Sequence, residues 1–439
     1  MTRILSLTRR LLFLLTFAGT FWPIWLWRQV LDDRPISTPF NSFTLHLSTA
    51  LGLMLCVAMF LETVAKKRKW RWGDPILTPV LIGIASWGTL SALWALNAGL
   101  ALWTAAEWWV VGAVYLSVVN SGERPSAWRA LLPLVGPLLV VELMIGASQM
   151  ATGSTLTSGI LLRWGKDFRV GDPGASYLLN DVGQPLLRAY GTTEHPNQLA
   201  GFAGVLALIL LGVWLAGPKS QAGRWRAGGG LVLSVMLLGT TFSRGGWIAF
   251  SLAAAYVLIC GLREGRGRVV AAVGLMIATA SLFFFGFGPW IAQRIAPSEA
   301  AWVEIKSLQD RALVAEGAWE LFRAKPALGV GLGNYMQGAV EHLSGQVKAP
   351  VHNTMAMALS ELGLMGGVLV VGLYARVIWL AWRARADLAA AVGVALALGL
   401  LVANAFDLYA WGLAPGRLFL GLLCGFCASD SAGVDSKST

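Results

Sequence analysis

Apolar runs of about 20 residues, the helix length that crosses roughly 30 Å of hydrocarbon, recur along the whole chain between short basic segments. Within lipid a backbone must satisfy its own hydrogen bonds, so a spanning chain forms helices or a closed barrel. These runs are rich in Leu, Ala, Gly and Val and do not alternate every second residue, which selects helices. Charged residues are 13% of 439, and mean hydropathy is +0.63. A soluble domain of that length needs far more charge to cover its surface. The expected fold class is an all-α polytopic membrane protein with about 12 transmembrane helices.

A net charge of +11 would suggest nucleic acid in a soluble protein. Here the positive residues cluster in short loops between apolar runs, which is a topology signal, and no nucleic-acid partner is expected. Lys66-Lys-Arg-Lys-Trp-Arg71 carries five positive charges in six residues and is the strongest cytoplasmic marker. Arg3, Arg9 and Arg10 precede the apolar run 11–27, which is too long for a signal peptide and lacks a small-x-small cleavage site. A retained first helix with a cytoplasmic N-terminus is expected.

Alternation from there places helices one to five in 1–150 and a first long outer segment in 151–197. Helices six to nine follow in 198–287, and a second long outer segment in 288–351. Helices ten to twelve occupy 352–428, and a polar cytoplasmic tail 429–439. Helix two is expected over 43–64, helix seven over 230–242, and helix ten with a kink at Gly366-Gly367. Residues 307–325 have the pattern of an amphipathic surface helix. The two outer segments are longer than connections need to be, so they are expected to carry function.

The candidates for chemistry lie on that outer side. His352, in Ala349-Pro-Val-His-Asn353, stands where the second long segment re-enters the membrane. An unperturbed imidazole titrates near pH 6.5 and can accept a proton from a hydroxyl; the alternative is a cap on helix ten, with Asn353 satisfying free backbone donors. Arg188 and Arg244 are permanent cations suited to phosphate oxygens. Arg244 has no acid nearby in sequence, and a charge buried at the bilayer centre costs ~2.5–3.5 kcal/mol on insertion scales. An anionic ligand or snorkelling to lipid head groups would each relieve it. In Thr192-Thr-Glu-His-Pro-Asn197, Glu194 and His195 form a candidate pair, while turn and cap chemistry explains Pro196 and Asn197. Arg311, early in the amphipathic helix, is either a third anion ligand or an ion-pair partner. Gly329-Val-Gly-Leu-Gly-Asn334 lacks the strand-loop-helix frame of a nucleotide loop and reads as tight turns for close backbone approach to a ligand. Asp32-Asp33 is a weak metal signal. Cys424-Gly-Phe-Cys427 has no second ligand pair, so packing explains it.

Together these pieces resemble the O-antigen ligase and polymerase family of bacterial envelopes. The matching elements are Arg188-x-x-Gly191-Thr-x-x-His-Pro-Asn197, Phe242-Ser-Arg-Gly245, Arg311 through Pro326 to Gly329–Tyr335, and His352-Asn353 with Ser360-Glu-Leu-Gly363. The resemblance covers about residues 188–367; the first five helices offer only hydropathy. It implies a GT-C-like glycosyltransferase of the inner membrane, with short helices in its large periplasmic segment and both termini cytoplasmic. Its donor would be a glycan on undecaprenyl diphosphate, with no cofactor and no metal. Arg188, Arg244 and Arg311 would hold the diphosphate, and His352 would act as general base or position the acceptor. Glu194, His195, Asn197, Asn334 and Asn353 would contact glycan.

The acceptor stays open among lipid A-core, a second lipid-linked glycan and a protein hydroxyl, that is, among ligase, polymerase and protein O-oligosaccharyltransferase. A different class, a polysaccharide or lipid transporter, predicts ionisable residues near mid-membrane. Glu62, Glu107 and Glu142 are the main such residues here.

Overall fold

The computed structural model describes residues 2–22, 24–31, 40–121, 127–155, 168–342 and 349–435; Asp32 and Asp33 lie outside them. Two compact units emerge. The first comprises Met1–Ala127, Arg311–Ala384 and Asn404–Thr439, and the second Trp128–Asp310 and Arg385–Ala403.

In the first unit, α1 (Thr2–Gly19) ends eight residues before the expected limit at residue 27. The Thr20 hydroxyl donates to Phe17 O at 2.7 Å and closes the last turn. Beyond it, β1 (Trp25–Val30) pairs antiparallel with β2 (Ser42–His46). Aromatic and β-branched residues favour that extended pairing, so the expected first and second helices both lose residues to a hairpin. α2 (Leu47–Ala65), α3 (Leu77–Ser91) and α4 (Ala98–Val119) follow. Asp74 starts α3 by accepting from Leu77 N at 2.9 Å, and its carboxylate also takes both prongs of Arg376 at 2.8 and 2.6 Å.

The second unit holds α5 (Leu132–Thr152), the hairpin β3 (Tyr177–Leu179) and β4 (Pro185–Leu187), and α6 (Pro196–Ala216). Next come α7 (Gln221–Thr240), α8 (Arg244–Gly261) and α9 (Arg266–Ile295). Among the seven long apolar helices of the described residues, α6 is the most buried, and it lies against α7 and α8. α7 begins nine residues before the expected start because the Ser220 side chain caps it, accepting from Gly223 N at 3.0 Å. α9 extends past the expected end at residue 287 but breaks there, at φ −124° and ψ 17° for Phe287.

α10 (Trp302–Ala324) occupies the stretch of the expected surface helix and crosses from the second unit into the first. The first unit then adds α11 (Tyr335–His342) and α12 (Thr354–Ala384). α13 (Leu388–Asn404) belongs to the second unit apart from its last residue, and α14 (Tyr409–Gly412) and α15 (Ala414–Asp435) complete the first. α15 continues to Asp435, so the expected polar tail is helical in its first part.

Each of the twelve expected spans contains a helix, yet among the described residues seven helices are long and apolar enough to cross a membrane, with Leu77–Ser91, Leu388–Asn404 and Ala414–Ser429 apolar but shorter. The chain is a largely helical, polytopic membrane protein, and two small two-stranded sheets qualify the all-α expectation.

The break in α12 falls at Gly363 (φ +63°, ψ −155°), not at Gly366-Gly367. Its cause is the loop before α11. Val330 N donates to Ser360 O at 3.0 Å, Gly331 N to Glu361 O at 2.8 Å, and Leu364 N to Pro326 O at 2.8 Å. A Cβ on Gly363 would lie 2.4 Å from Ala327 O, and one on Gly329 would lie 2.4 Å from Glu361 O. The glycine-rich loop therefore approaches the opened backbone of α12, where the sequence suggested a ligand.

Candidate functional site

In the second unit, the corner between α7 and α8 gathers three arginines. Phe242 turns this corner at φ +47°, a left-handed conformation that costs a non-glycine residue about 1–3 kcal/mol. Its ring is buried with Leu178, Phe283 and Ile291, which holds the turn. Arg188, directly after β4, donates from Nε to Thr241 O at 2.7 Å and from Nη2 to Asn197 Oδ1 at 2.8 Å. Arg294 Nε donates to Phe242 O at 2.9 Å, and Arg244 Nη1 to Arg294 O at 3.0 Å. Glu304, buried at the start of α10, pairs with Arg294 and lies 3.8 Å from Arg244 Nη2. Of the three guanidiniums, those of Arg294 and Arg244 face the Glu304 carboxylate. Glu304 is the acid that Arg244 lacks in local sequence. Neither it nor Arg294 was singled out from sequence; an arginine closing the apolar end of α9 was the available signal.

The segment that carries Arg188 is pinned by α5. Glu142 Oε2 accepts from Thr192 N at 2.8 Å, and Gln149 Oε1 accepts from Tyr190 N and Gly191 N, each at 2.9 Å. Gly191 sits at φ +56°, and a Cβ there would collide with Glu142 Oε2 at 2.0 Å. Glu142 is thus a structural anchor. His195 takes the cap of α6: its Nδ1 accepts from Asn197 N at 3.1 Å, and its Nε2 lies 3.2 Å from Ser176 Oγ. Asn197 leaves the cap to His195 and steadies Arg188. Glu194 is half-buried, its backbone N–H donating to Gln198 Oε1 at 3.3 Å.

An apolar groove of about 510 Å³ runs along α7, α8 and α9 in the same unit, within the size range of small-molecule sites. Leu238, Trp247, Phe250, Phe283, Ile291 and Ile295 line it. Trp247 and Ile295 follow Arg244 and Arg294 closely in sequence, so one end of the groove lies at the arginine corner.

In the first unit, Asn353 caps α12: its Oδ1 accepts from Ala356 N at 2.9 Å while Nδ2 donates to Ala405 O at 2.9 Å. His352 is therefore not needed as the cap. Its Nδ1 is buried without a hydrogen-bond partner among the described residues. Burial lowers the imidazole pKa below 6.5, Asp407 opposes that shift, and Arg311 reinforces it. The ring is neutral at neutral pH, the form that accepts a proton. Arg311 thus faces the histidine's field in this unit. Asn334 is fully buried; its Oδ1 accepts from Asn97 N at 2.7 Å and its Nδ2 donates to Asn97 O at 3.2 Å. Its amide holds the start of α4, where the resemblance implied a glycan contact.

The acids singled out as transporter candidates have structural partners as well. Arg417 pairs with Glu107, and Arg9 with Glu62 at 2.7 Å. Among the described residues no group of three or more His, Cys, Asp or Glu side chains is arranged to hold a metal ion.

No curated protein matches the chain. The O-antigen ligase family matches residues 229–371, a span that contains Arg244, Arg294, Glu304, Arg311, Asn334 and His352. Over that span the chain is similar to the O-antigen ligase family, and the Ser-Arg-Gly, glycine-loop and His-Asn elements of the resemblance fall inside it.

Proposed function

We propose that the protein is an inner-membrane glycosyltransferase that moves a glycan from undecaprenyl diphosphate to an acceptor hydroxyl on the periplasmic side. The observation that carries this reading is the arginine corner at the end of an apolar groove in the second unit. A diphosphate needs fixed, permanently charged donors, and a polyprenyl tail needs hydrocarbon. Arg188 and Arg244 are the proposed diphosphate ligands; Arg294 joins them from its contacts, and Arg311 from the resemblance.

His352 is the proposed base. The acceptor oxygen attacks the anomeric carbon as its proton passes to the imidazole. A new glycosidic bond forms, the bond to the diphosphate oxygen breaks with inversion, and undecaprenyl diphosphate departs with its negative charge neutralised by arginine. The leaving group is already good, so positioning and charge stabilisation supply the catalysis. The family is shared by ligases and polymerases, and we favour the ligase-like reaction with lipid A-core as acceptor; a second lipid-linked glycan or a protein hydroxyl fits the same chemistry.

The test is transfer from an undecaprenyl-diphosphate glycan to a panel of acceptors in proteoliposomes containing EDTA. Wild type should glycosylate one acceptor, while Arg244→Ala and His352→Ala, folded and present at equal levels, should each lose at least ~100-fold in rate, the range for removing one acid-base or charge-stabilising group. Intact donor with no transfer to any acceptor sinks the proposal.

A further inference from the structure

The turn between α2 and α3 in the first unit carries Lys66, Lys67, Arg68, Lys69 and Arg71, and residues 63–73 contain no acid. The nearest acids in sequence have other partners. Glu62 pairs with Arg9 at 2.7 Å and with Lys66, and Asp74 accepts both prongs of Arg376 at 2.8 and 2.6 Å. Lys67, Arg68 and Lys69 are exposed and have no acidic partner among the described residues. The proposed transfer step uses none of them.

The turn has a fixed shape. Arg68 N donates to Thr63 O and Lys67 N to Val64 O, each at 3.0 Å, which closes α2 with the paired bonds of a Schellman motif. Lys67 takes the left-handed position of that motif, at φ +49°. Glycine fits there without strain, whereas a lysine bears a steric cost. The turn thus carries a charge at a conformational cost, which points to a use outside the fold. Downstream, Asn120 brackets Arg71, its Oδ1 accepting from Arg71 N and its Nδ2 donating to Arg71 O, each at 2.9 Å. Thr78 Oγ1 donates to Trp72 O at 2.6 Å. The basic backbone between these anchors is held at the ends of α2, α3 and α4.

Apolar surface adjoins the cations. Val64 at the end of α2 and Ile76 before α3 are exposed, as are Trp70 and Trp72, the latter by 69%. The Asp74–Arg376 pair brings the end of α12 alongside, where the Arg376 guanidinium stacks 3.9 Å from the ring centre of Trp379. Trp379 and Trp382 are exposed too. Indoles favour the boundary between hydrocarbon and head groups. α2 is long and apolar enough to span and ends at Ala65, directly before the first lysine. The cations therefore stand at the depth of lipid phosphate, with apolar side chains available to acyl chains. A soluble acidic partner would match the charge and leave the indoles and aliphatic side chains unmatched.

We propose that residues 66–72 and the end of α12 form a binding site for an anionic phospholipid. Its phosphate meets Lys67, Arg68 and Lys69, and its acyl chains lie against Trp72 and Val64. A zwitterionic lipid brings its own cation to the same place and binds more weakly. The site is read by lipid binding, so it stands or fails independently of the transfer reaction.

The experiment is native mass spectrometry of the full chain in a neutral detergent, titrated with phosphatidylglycerol, phosphatidylcholine, glycerol 3-phosphate and an oligoglutamate peptide. Phosphatidylglycerol should bind saturably and at least about tenfold tighter than phosphatidylcholine. Combining Lys67→Gln, Arg68→Gln and Lys69→Gln should weaken it about a hundredfold, as expected for three basic residues at an anionic surface. Combining Lys219→Gln, Arg224→Gln and Arg226→Gln removes as many exposed charges from the second unit and should change it less than about threefold. Trp72→Ala keeps every charge and should still weaken it. Lys67→Gly relieves the left-handed strain, so it should melt no lower than wild type, yet it should lose about fivefold in affinity. Equal binding of phosphatidylglycerol and phosphatidylcholine overturns the proposal. So do equal losses in the two triple variants, unchanged binding in Lys67→Gly or Trp72→Ala, or binding of glycerol 3-phosphate or the peptide as tightly as the lipid.

Discussion

His352 keeps a neutral ring because burial disfavours the imidazolium, while Asp407 and Arg311 push its pKa in opposite directions. The sign of the consequence is clear. A base with a pKa below 6.5 stays unprotonated as pH falls through 6.5 and loses activity only in more acidic solution. The kcat/KM profile for transfer should therefore have its acidic midpoint below 6.5. Asp407→Asn removes the opposing charge and should move that midpoint lower still, whereas Arg311→Met should raise it. A wild-type midpoint at or above 6.5 would remove His352 as the titrating base. At the same scale, residue type alone makes a histidine, two isolated arginines and a His-Asn pair candidates in the sequence itself. Arg294 and Glu304 were not legible in that way, because each looks ordinary until the other is beside it.

At the scale of elements, the opened α12 and the glycine-rich loop stabilise one another. Breaking a helix frees carbonyls and N–H groups that must find partners when buried. Here Val330, Gly331 and Pro326 provide them. Gly363→Ala places a Cβ 2.4 Å from Ala327 O at a φ of +63°, so it should destabilise the fold by ~1–3 kcal/mol, the strain of an unfavoured backbone conformation. Gly366→Ala tests the expected kink site by contrast, although its Cβ also meets Ala358 O at 2.5 Å and some loss is expected there. Thermal melts in one detergent would compare them; an unchanged melting temperature for Gly363→Ala would refute the strain argument. The sequence pattern showed that glycines 329, 331 and 333 make tight turns. It did not show that Gly329 approaches the chain's own backbone at Glu361, about 30 residues downstream, or that Gly331 and Gly333 pack against Ala95 and Thr104 far upstream. The β1–β2 hairpin was missed for a related reason: aromatic, apolar segments suit a strand and a helix alike until pairing decides.

At the scale of the whole molecule, helix succession and loop charge carry the orientation. The basic stretch 66–71 should stay on the cytoplasmic side, and Glu299, exposed before α10, on the other. Lys69→Cys and Glu299→Cys test this with an impermeant maleimide on intact cells; none of the four native cysteines is exposed. Labelling at 299 and protection at 69 are expected, and the reverse pattern would invert the proposed periplasmic site. What the sequence determined by itself was membrane residence, the succession of helical segments and the similarity of residues 229–371 to the O-antigen ligase family. Those depend on hydrophobic length, charge and short motifs, which are local properties read within one segment. Tertiary structure alone decided that Glu304 joins Arg244 and Arg294, that Asn197 steadies Arg188 while His195 caps α6, and that the glycine loop meets α12. The physical reason is common to all three. A buried charge, a free carbonyl or a helix end must be satisfied, but chemistry does not specify where along the chain its partner comes from.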